Sequence, residues 1–249
     1  MEEREISVPT ADGEMPAFTV HPETGGPFPV AVLYMDGVGY REQVKENARR
    51  FAAGGFYCVV PDLFYRSGKG ITFDFSRIAT GRADESERAR MMGVVGSVTP
   101  EGVEGDTQAV LHAVGDDPAA APGAKVCVGY CMGARFALHA ASEFPDEFVA
   151  GAGIHPGALM TDRPDSPHRD LAGVRGELYF AFAEEDPSAP PELVDRFREE
   201  LRQRGVRGEV ERAPGTRHGF AMADLPVYDR DAAERHFERT LDLWRRNLS

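Results

Sequence analysis

Cysteine is scarce in this sequence: Cys58, Cys127 and Cys131 are the three in 249 residues. So small and odd a number excludes a disulfide framework and points to a reducing, cytoplasmic setting. No Cys-x-x-Cys pair occurs. Cys127 and Cys131 stand four apart, but across what reads as a strand-to-helix junction, so no zinc site is expected. Long apolar runs are missing as well. No window approaches the ~20 residues that a spanning helix needs. The opening Met1-Glu2-Glu3-Arg4-Glu5 lacks the basic stretch and apolar run of a signal peptide. Neither repeats nor low-complexity tracts occur, and no GxGxxG phosphate loop follows the first strand. No cofactor or metal is therefore expected. Positive charge is the minority: 28 Lys and Arg face 41 Asp and Glu, a net charge of −13. Such a surface repels phosphates and anionic lipid, so nucleic acid and membrane are not expected partners.

The remaining composition is that of a soluble globular protein, with 42% apolar and 28% charged residues. The length suits one α/β domain over 1–249, as a monomer or small homo-oligomer. Strand signals fall at 15–20, 28–35, 56–60, 125–130, 148–154, 177–183 and 208–212. The run Pro29-Val30-Ala31-Val32-Leu33-Tyr34-Met35 is continuously apolar, as in strands buried on both faces. Helical periodicity marks 41–53, 107–114, 134–143, 191–204 and 229–247. In the first of these Val44, Ala48, Phe51 and Ala52 form one stripe, closed by Gly54-Gly55. Strands alternating with helices predict a mostly parallel sheet covered on both faces. A stretch at about 66–104, rich in Gly, Arg, Asp and Ser, shows no strand and reads as a long excursion. Phe64, Tyr65, Phe73 and Phe75 lie in or near it. They either line an apolar pocket or pack the excursion onto the sheet.

The most informative segment is Val128-Gly129-Tyr130-Cys131-Met132-Gly133-Ala134. An apolar strand ends in Gly-x-Cys-x-Gly and a helix begins at once, which is the nucleophile-elbow pattern with cysteine in place of serine. The chain must reverse within about one residue, so the central residue takes strained backbone geometry. Glycines flank it because side chains there would strike the neighbouring elements. The nucleophile then stands at a helix N-terminus, whose positive end favours a thiolate. The Met132 N–H points to where an oxyanion forms.

In the chain order of α/β-hydrolases the acid follows the nucleophile and the histidine comes last. Past the strand at 177–183 come Glu184-Glu185-Asp186-Pro187. Asp186 is the expected acid, with Glu184 and Glu185 as alternatives. Past the last strand, Thr216-Arg217-His218-Gly219-Phe220 places His218 in a glycine-flanked turn. His112, His139 and His236 fall on predicted helices, as surface or packing residues. His155, in Ile154-His155-Pro156-Gly157, either lines the pocket or is a hydrogen-bonded loop histidine. Cys131, His218 and Asp186 thus make a triad for attack on a carbonyl through a thiol ester.

With these motifs in place the sequence resembles the dienelactone hydrolase family over nearly its whole length. Gly129-Tyr130-Cys131-Met132-Gly133, the Asp186 loop, Thr216-Arg217-His218-Gly219-Phe220 and Val59-Val60-Pro61-Asp62-Leu63 carry the resemblance. It implies an α/β-hydrolase fold and a small-molecule ester or lactone as substrate. It also implies a glutamate that approaches the resting thiol; here Asp36, in Tyr34-Met35-Asp36-Gly37-Val38-Gly39, takes that place. The N–H of Gly37 is the second oxyanion donor by position. Of two arginines that hold a substrate carboxylate in the family, Arg88 matches one, while Met222 stands where the other is expected. Tyr130 and Phe220, beside the nucleophile and the histidine, are the further substrate-contact candidates. Half of the carboxylate clamp being absent, a neutral or bulkier ester or lactone becomes an expected substrate. A thioesterase, an acyl-transfer or cyclising enzyme, and a redox-sensing relative using Cys131 share these features.

Overall fold

The computed structural model of the chain describes residues 1–74 and 85–248. Among these residues eight strands form one sheet: β1 (Glu2–Thr10), β2 (Gly13–His21), β3 (Val30–Tyr34), β4 (Tyr57–Pro61), β5 (Lys125–Tyr130), β6 (Phe148–Ile154), β7 (Glu177–Glu185) and β8 (Arg207–Arg217). The helices are α1 (Glu42–Ala53), α2 (Glu85–Ser97), α3 (Pro100–Gly115), α4 (Met132–Glu143), α5 (Pro191–Gln203) and α6 (Arg230–Leu248). The strand order is β1-β2-β4-β3-β5-β6-β7-β8. β1 and β2 join antiparallel at one edge, and β4 through β8 run parallel. This is the α/β-hydrolase fold. No helix among the described residues is long and apolar enough to cross a membrane.

The apolar runs explain which strands are central. Every residue of β3 and β4 is buried, as is β5 after Lys125, so these strands need cover on both sides. Helices α1 and α6 supply it on one face. Phe51 of α1 meets Phe237 and Trp244 of α6, with ring centroids 4.8 and 4.6 Å apart. α3 and α4 pack together on the other. The α1 stripe holds Val44, Ala48, Phe51 and Ala52 as expected, with Asn47 buried among them.

Two elements were not anticipated. β1 reads as charged surface because of its residues only Val8 is buried; it is an edge strand whose register comes from β2. α2 lies within the stretch expected to be an irregular excursion. Its two glycines and its lack of any fully buried residue conceal it from periodicity. α3 begins seven residues before its apolar pattern, because Thr99 caps it, accepting a hydrogen bond from the Gly102 N–H at 3.1 Å, and Pro100 opens it. Phe64, Tyr65 and Phe73 are buried packing residues, the Phe64 and Phe73 rings meeting edge-on at 6.2 Å. Phe75 lies outside the described residues.

Candidate active site

The site is assembled at the carboxyl ends of adjacent parallel strands, where α/β sheets open into crevices. β3 leads to Asp36 and Gly37, β5 to Cys131, β7 to Asp186 and β8 to His218. Cys131 caps α4 with φ 53° and ψ −112°, a sparsely populated conformation for a non-glycine residue. Its N–H is tied to the Ile154 carbonyl of β6 at 3.0 Å. The flanking glycines are enforced by contact. A Cβ on Gly129 would lie 2.0 Å from the Gly133 carbonyl oxygen, and one on Gly133 would lie 2.3 Å from that of Tyr34. The Gly-x-Cys-x-Gly spacing is thus a packing requirement of strand against helix.

A hydrogen-bonded chain runs from this elbow. His218 Nε2 lies 3.0 Å from Cys131 Sγ, and His218 Nδ1 donates to Asp186 Oδ2 at 2.6 Å. The other Asp186 oxygen accepts from the Ser188 N–H and hydroxyl at 2.9 and 2.7 Å, which fixes the carboxylate in plane. Burial opposes ionisation of Asp186, but its bonds to His218 and Ser188 outweigh this and hold its carboxyl below the usual range. Burial likewise opposes charge on His218. The facing Cys131 sulfur and the Asp186 carboxylate overcome it and raise the imidazole well above its ordinary value. Of the two other candidate acids, Glu184 turns back to accept the Gly215 N–H at 2.7 Å, and Glu185 is exposed.

Met132 is the first residue of α4, so its N–H has no partner within the helix. Gly37 borders the cavity over Cys131, with Val95 and Met91 of α2 pressed against it. Met132 and Gly37 both line the cavity beside Cys131. The cavity has a volume of about 530 Å³ and a largely apolar wall, including Met91, Met92, Val95, Met132 and Pro187. Arg135 lines it as well. An inner pocket of about 20 Å³ reaches Asp36 and His155.

Several expected site residues take other positions. Asp36 is buried near Cys131, yet its two oxygens are held by the Arg41 guanidinium at 2.6 and 3.0 Å and by the Val38 N–H at 3.0 Å. Burial pushes its carboxyl up, with Arg41 pulling it back. The expectation that this carboxylate engages the thiol is corrected: the short aspartate is spent on Arg41, and Cys131 pairs with His218. Arg41 itself bridges to Asp224 at 2.6 Å. Tyr130 and Phe220 are fully buried and line neither cavity, which corrects their assignment as substrate contacts. Alternation along β5 turns Tyr130 away from the nucleophile, and its hydroxyl meets His236 Nε2 at 3.2 Å. Phe220 packs edge-on to the His155 ring at 5.4 Å. Arg88 is exposed on α2 and does not line the cavity; it shares the stripe of Met91, Met92 and Val95 one turn farther out. Met222 is buried, and its sulfur accepts from Asn47 at 3.6 Å.

His155 belongs to the pocket and is not the hydrogen-bonded loop histidine. It is fully buried at φ 39°, neither ring nitrogen has a partner, and its ring meets His218 at 5.3 Å. Burial, and then the neighbouring His218 and His236, push it well below the ordinary histidine range, so it is neutral. Sequence reasoning missed Arg41 and Arg135. The signal for Arg135 was its place four residues after the nucleophile, one helical turn along. Nothing local singled out Arg41. Among the described residues no group of three or more His, Cys, Asp or Glu side chains could hold a metal ion.

The family model for the dienelactone hydrolase family matches residues 15–248. This chain is a member of the dienelactone hydrolase family. A relative from Methylorubrum extorquens, named "Putative carboxymethylenebutenolidase", is 26% identical over 243 residues, which span 97% of this chain and 80% of the relative. Among solved structures, a "Putative Dienelactone Hydrolase" from Klebsiella pneumoniae superposes with a TM-score of 0.84, at 20% identity and 98% coverage of both chains. A dienelactone hydrolase-like promiscuous phosphotriesterase from metagenomic libraries superposes at 0.77 and 21% identity, covering 99% of each. This member has a cysteine at the centre of its Gly-x-Cys-x-Gly elbow.

Proposed function

We propose that this protein hydrolyses a carboxylic ester or lactone through Cys131, His218 and Asp186. The observation that carries the reading is the continuous chain of Asp186, His218 and Cys131 on a strained elbow beneath an apolar cavity. The Cys131 thiolate attacks the carbonyl carbon, and the resulting oxyanion takes hydrogen bonds from the Met132 and Gly37 N–H groups. As the C–O bond breaks, the His218 imidazolium gives its Nε2 proton to the leaving alkoxide. A lactone opens here without losing a fragment. Neutral His218 then takes a proton from water, whose oxygen attacks the thiol ester. Thiolate departs, the acid is released, and the ion pair returns. Asp186 holds the imidazole with Nε2 toward sulfur throughout and stays ionised. The cavity wall suits an apolar acyl or ring portion of the substrate. A thiol nucleophile beside two other unpaired cysteines suits a reducing compartment, in keeping with a cytoplasmic enzyme.

The test is hydrolysis of short p-nitrophenyl esters and a dienelactone by wild type, Cys131→Ala and Cys131→Ser. Wild type is expected to turn over at least one ester, and Cys131→Ala to lose about a thousandfold or more in kcat. A wild-type protein silent on all of them, with Cys131 unlabelled by iodoacetamide near neutral pH, overturns the reading. Ester cleavage that survives in Cys131→Ala also overturns it.

A further inference from the structure

Arg41 has no part in the chemistry above, yet its placement goes against two local preferences. It is the N-cap of α1, where a short polar side chain ordinarily accepts from the free N–H groups of the helix. Arg41 makes no such bond, and its guanidinium turns elsewhere. Nη1 and Nη2 donate to the two Asp36 oxygens at 2.6 and 3.0 Å, while Nε and Nη2 donate to those of Asp224 at 2.6 and 3.1 Å. One cation is thus shared by two carboxylates. The Arg41 side chain is 12% exposed and that of Asp36 3%. An ion pair so sheltered adds little to stability, because lost hydration offsets the attraction and packed apolar residues serve as well. Forgoing a helix cap costs about a further 1 kcal/mol. A residue that breaks local rules in this way belongs to a functional arrangement more than to a stabilising one.

The clamp joins the two loops on which the reaction depends. Asp36 opens the turn after β3 that carries Gly37, an oxyanion donor in the hydrolase reading. Asp36 Oδ1 accepts the Val38 N–H at 3.0 Å, the Gly39 N–H donates to the Asp36 carbonyl at 3.2 Å, and Arg41 Nη1 donates to the Gly39 carbonyl at 3.3 Å. Arg41 therefore holds this turn by side chain and by backbone. Asp224 lies in the segment that follows His218, and Gly219 and Leu225 of that segment line the inner pocket together with Asp36, Gly37 and Cys131. We propose that Arg41 is a positioning residue: bound to Asp36 and Asp224 at once, it fixes the Gly37 N–H relative to the His218 loop, so that the oxyanion meets its second donor when sulfur attacks. This rests on the hydrolase reading and deepens it. A donor displaced by about 1 Å loses much of its effect on rate, which is why a rigid guanidinium fork, and not a flexible ammonium, suits the place.

The experiment sets two reactions of the same sulfur side by side. Ester hydrolysis passes through an oxyanion, whereas alkylation of Cys131 by iodoacetamide does not. Asp224→Ala, at the more exposed end of the clamp, and Arg41→Lys, which keeps the charge but not the fork, are each expected to lower kcat for p-nitrophenyl esters about 10- to 100-fold, with KM within about threefold. The alkylation rate is expected to stay within about twofold, and Asp224→Glu to recover most of the lost kcat. An alkyl trifluoromethyl ketone, whose adduct with Cys131 carries the same oxyanion, is expected to bind both variants about tenfold or more weakly. Unchanged hydrolysis, hydrolysis and alkylation falling together, or a loss confined to KM overturns the proposal. If wild type cleaves no ester, the hydrolase reading fails separately, and the ketone decides the role of Arg41. An adduct weakened about tenfold or more by Arg41→Lys upholds it; an unweakened or absent adduct overturns it.

Discussion

At the scale of residues, what distinguishes this site is how its charges are matched. His218 faces the Cys131 sulfur and a carboxylate, whereas Asp36 faces a guanidinium. The pairing has a pH signature whose sign is fixed. The folded state binds the His218 proton more tightly than an unfolded histidine, which titrates near about 6.5. Its stabilisation is therefore complete below that value and is lost as pH rises through the elevated folded one. The melting-temperature gap between wild type and His218→Gln is expected to be widest at about pH 6 and to narrow on the alkaline side of about pH 7. A gap that widens with alkali would show that folding does not raise the affinity of His218 for its proton. The expected loss of hydrolysis in Cys131→Ala belongs to this scale too, because it turns on one functional group.

At the scale of elements, the decisive unit is the β5–α4 turn. Its geometry places sulfur at the start of the helix, and two glycines let the backbones touch. Gly133→Ala would put a methyl group 2.3 Å from the Tyr34 carbonyl oxygen. Backbone cannot retreat as a flexible side chain can, so a loss of about 3 kcal/mol is expected. Urea denaturation with activity as a second readout checks it; unchanged stability would mean that β3 and α4 are less tightly apposed. The elbow was legible in the sequence because its signal is local: apolar strand, Gly-x-Cys-x-Gly, alanine-rich helix. The acid was only half legible. Glu184, Glu185 and Asp186 are adjacent, and strand β7 assigns them different directions that chain order cannot give. α2 was not legible at all. Its sequence has glycines inside the helix, and its stabilising contacts come from the residues beneath it.

At the scale of the molecule, α1 and α6 together close one face of the sheet, and Trp244 is the keystone of their contact. It is fully buried between Phe51 and Phe56, with rings 4.6 and 4.9 Å away. Trp244→Ala is expected to cost about 3–5 kcal/mol, read by circular dichroism in urea because this is the single tryptophan. Trp244→Phe should cost far less, since the indole N–H it removes has no partner. Comparable losses in both would place the stability in the shape of the indole itself.

The sequence by itself determined the alternation of strands and helices, the strained turn at Cys131 and the chain order of acid and histidine. These depend on periodicity and on steric limits within a few residues. Only the tertiary structure decided which carboxylate meets His218, that Asp36 is taken by Arg41, that Tyr130 and Phe220 are packing, and that Arg135 lines the cavity. Those facts depend on side chains distant in sequence competing for the same partners, and the winner is set by where the strands end and how the helices lie across them.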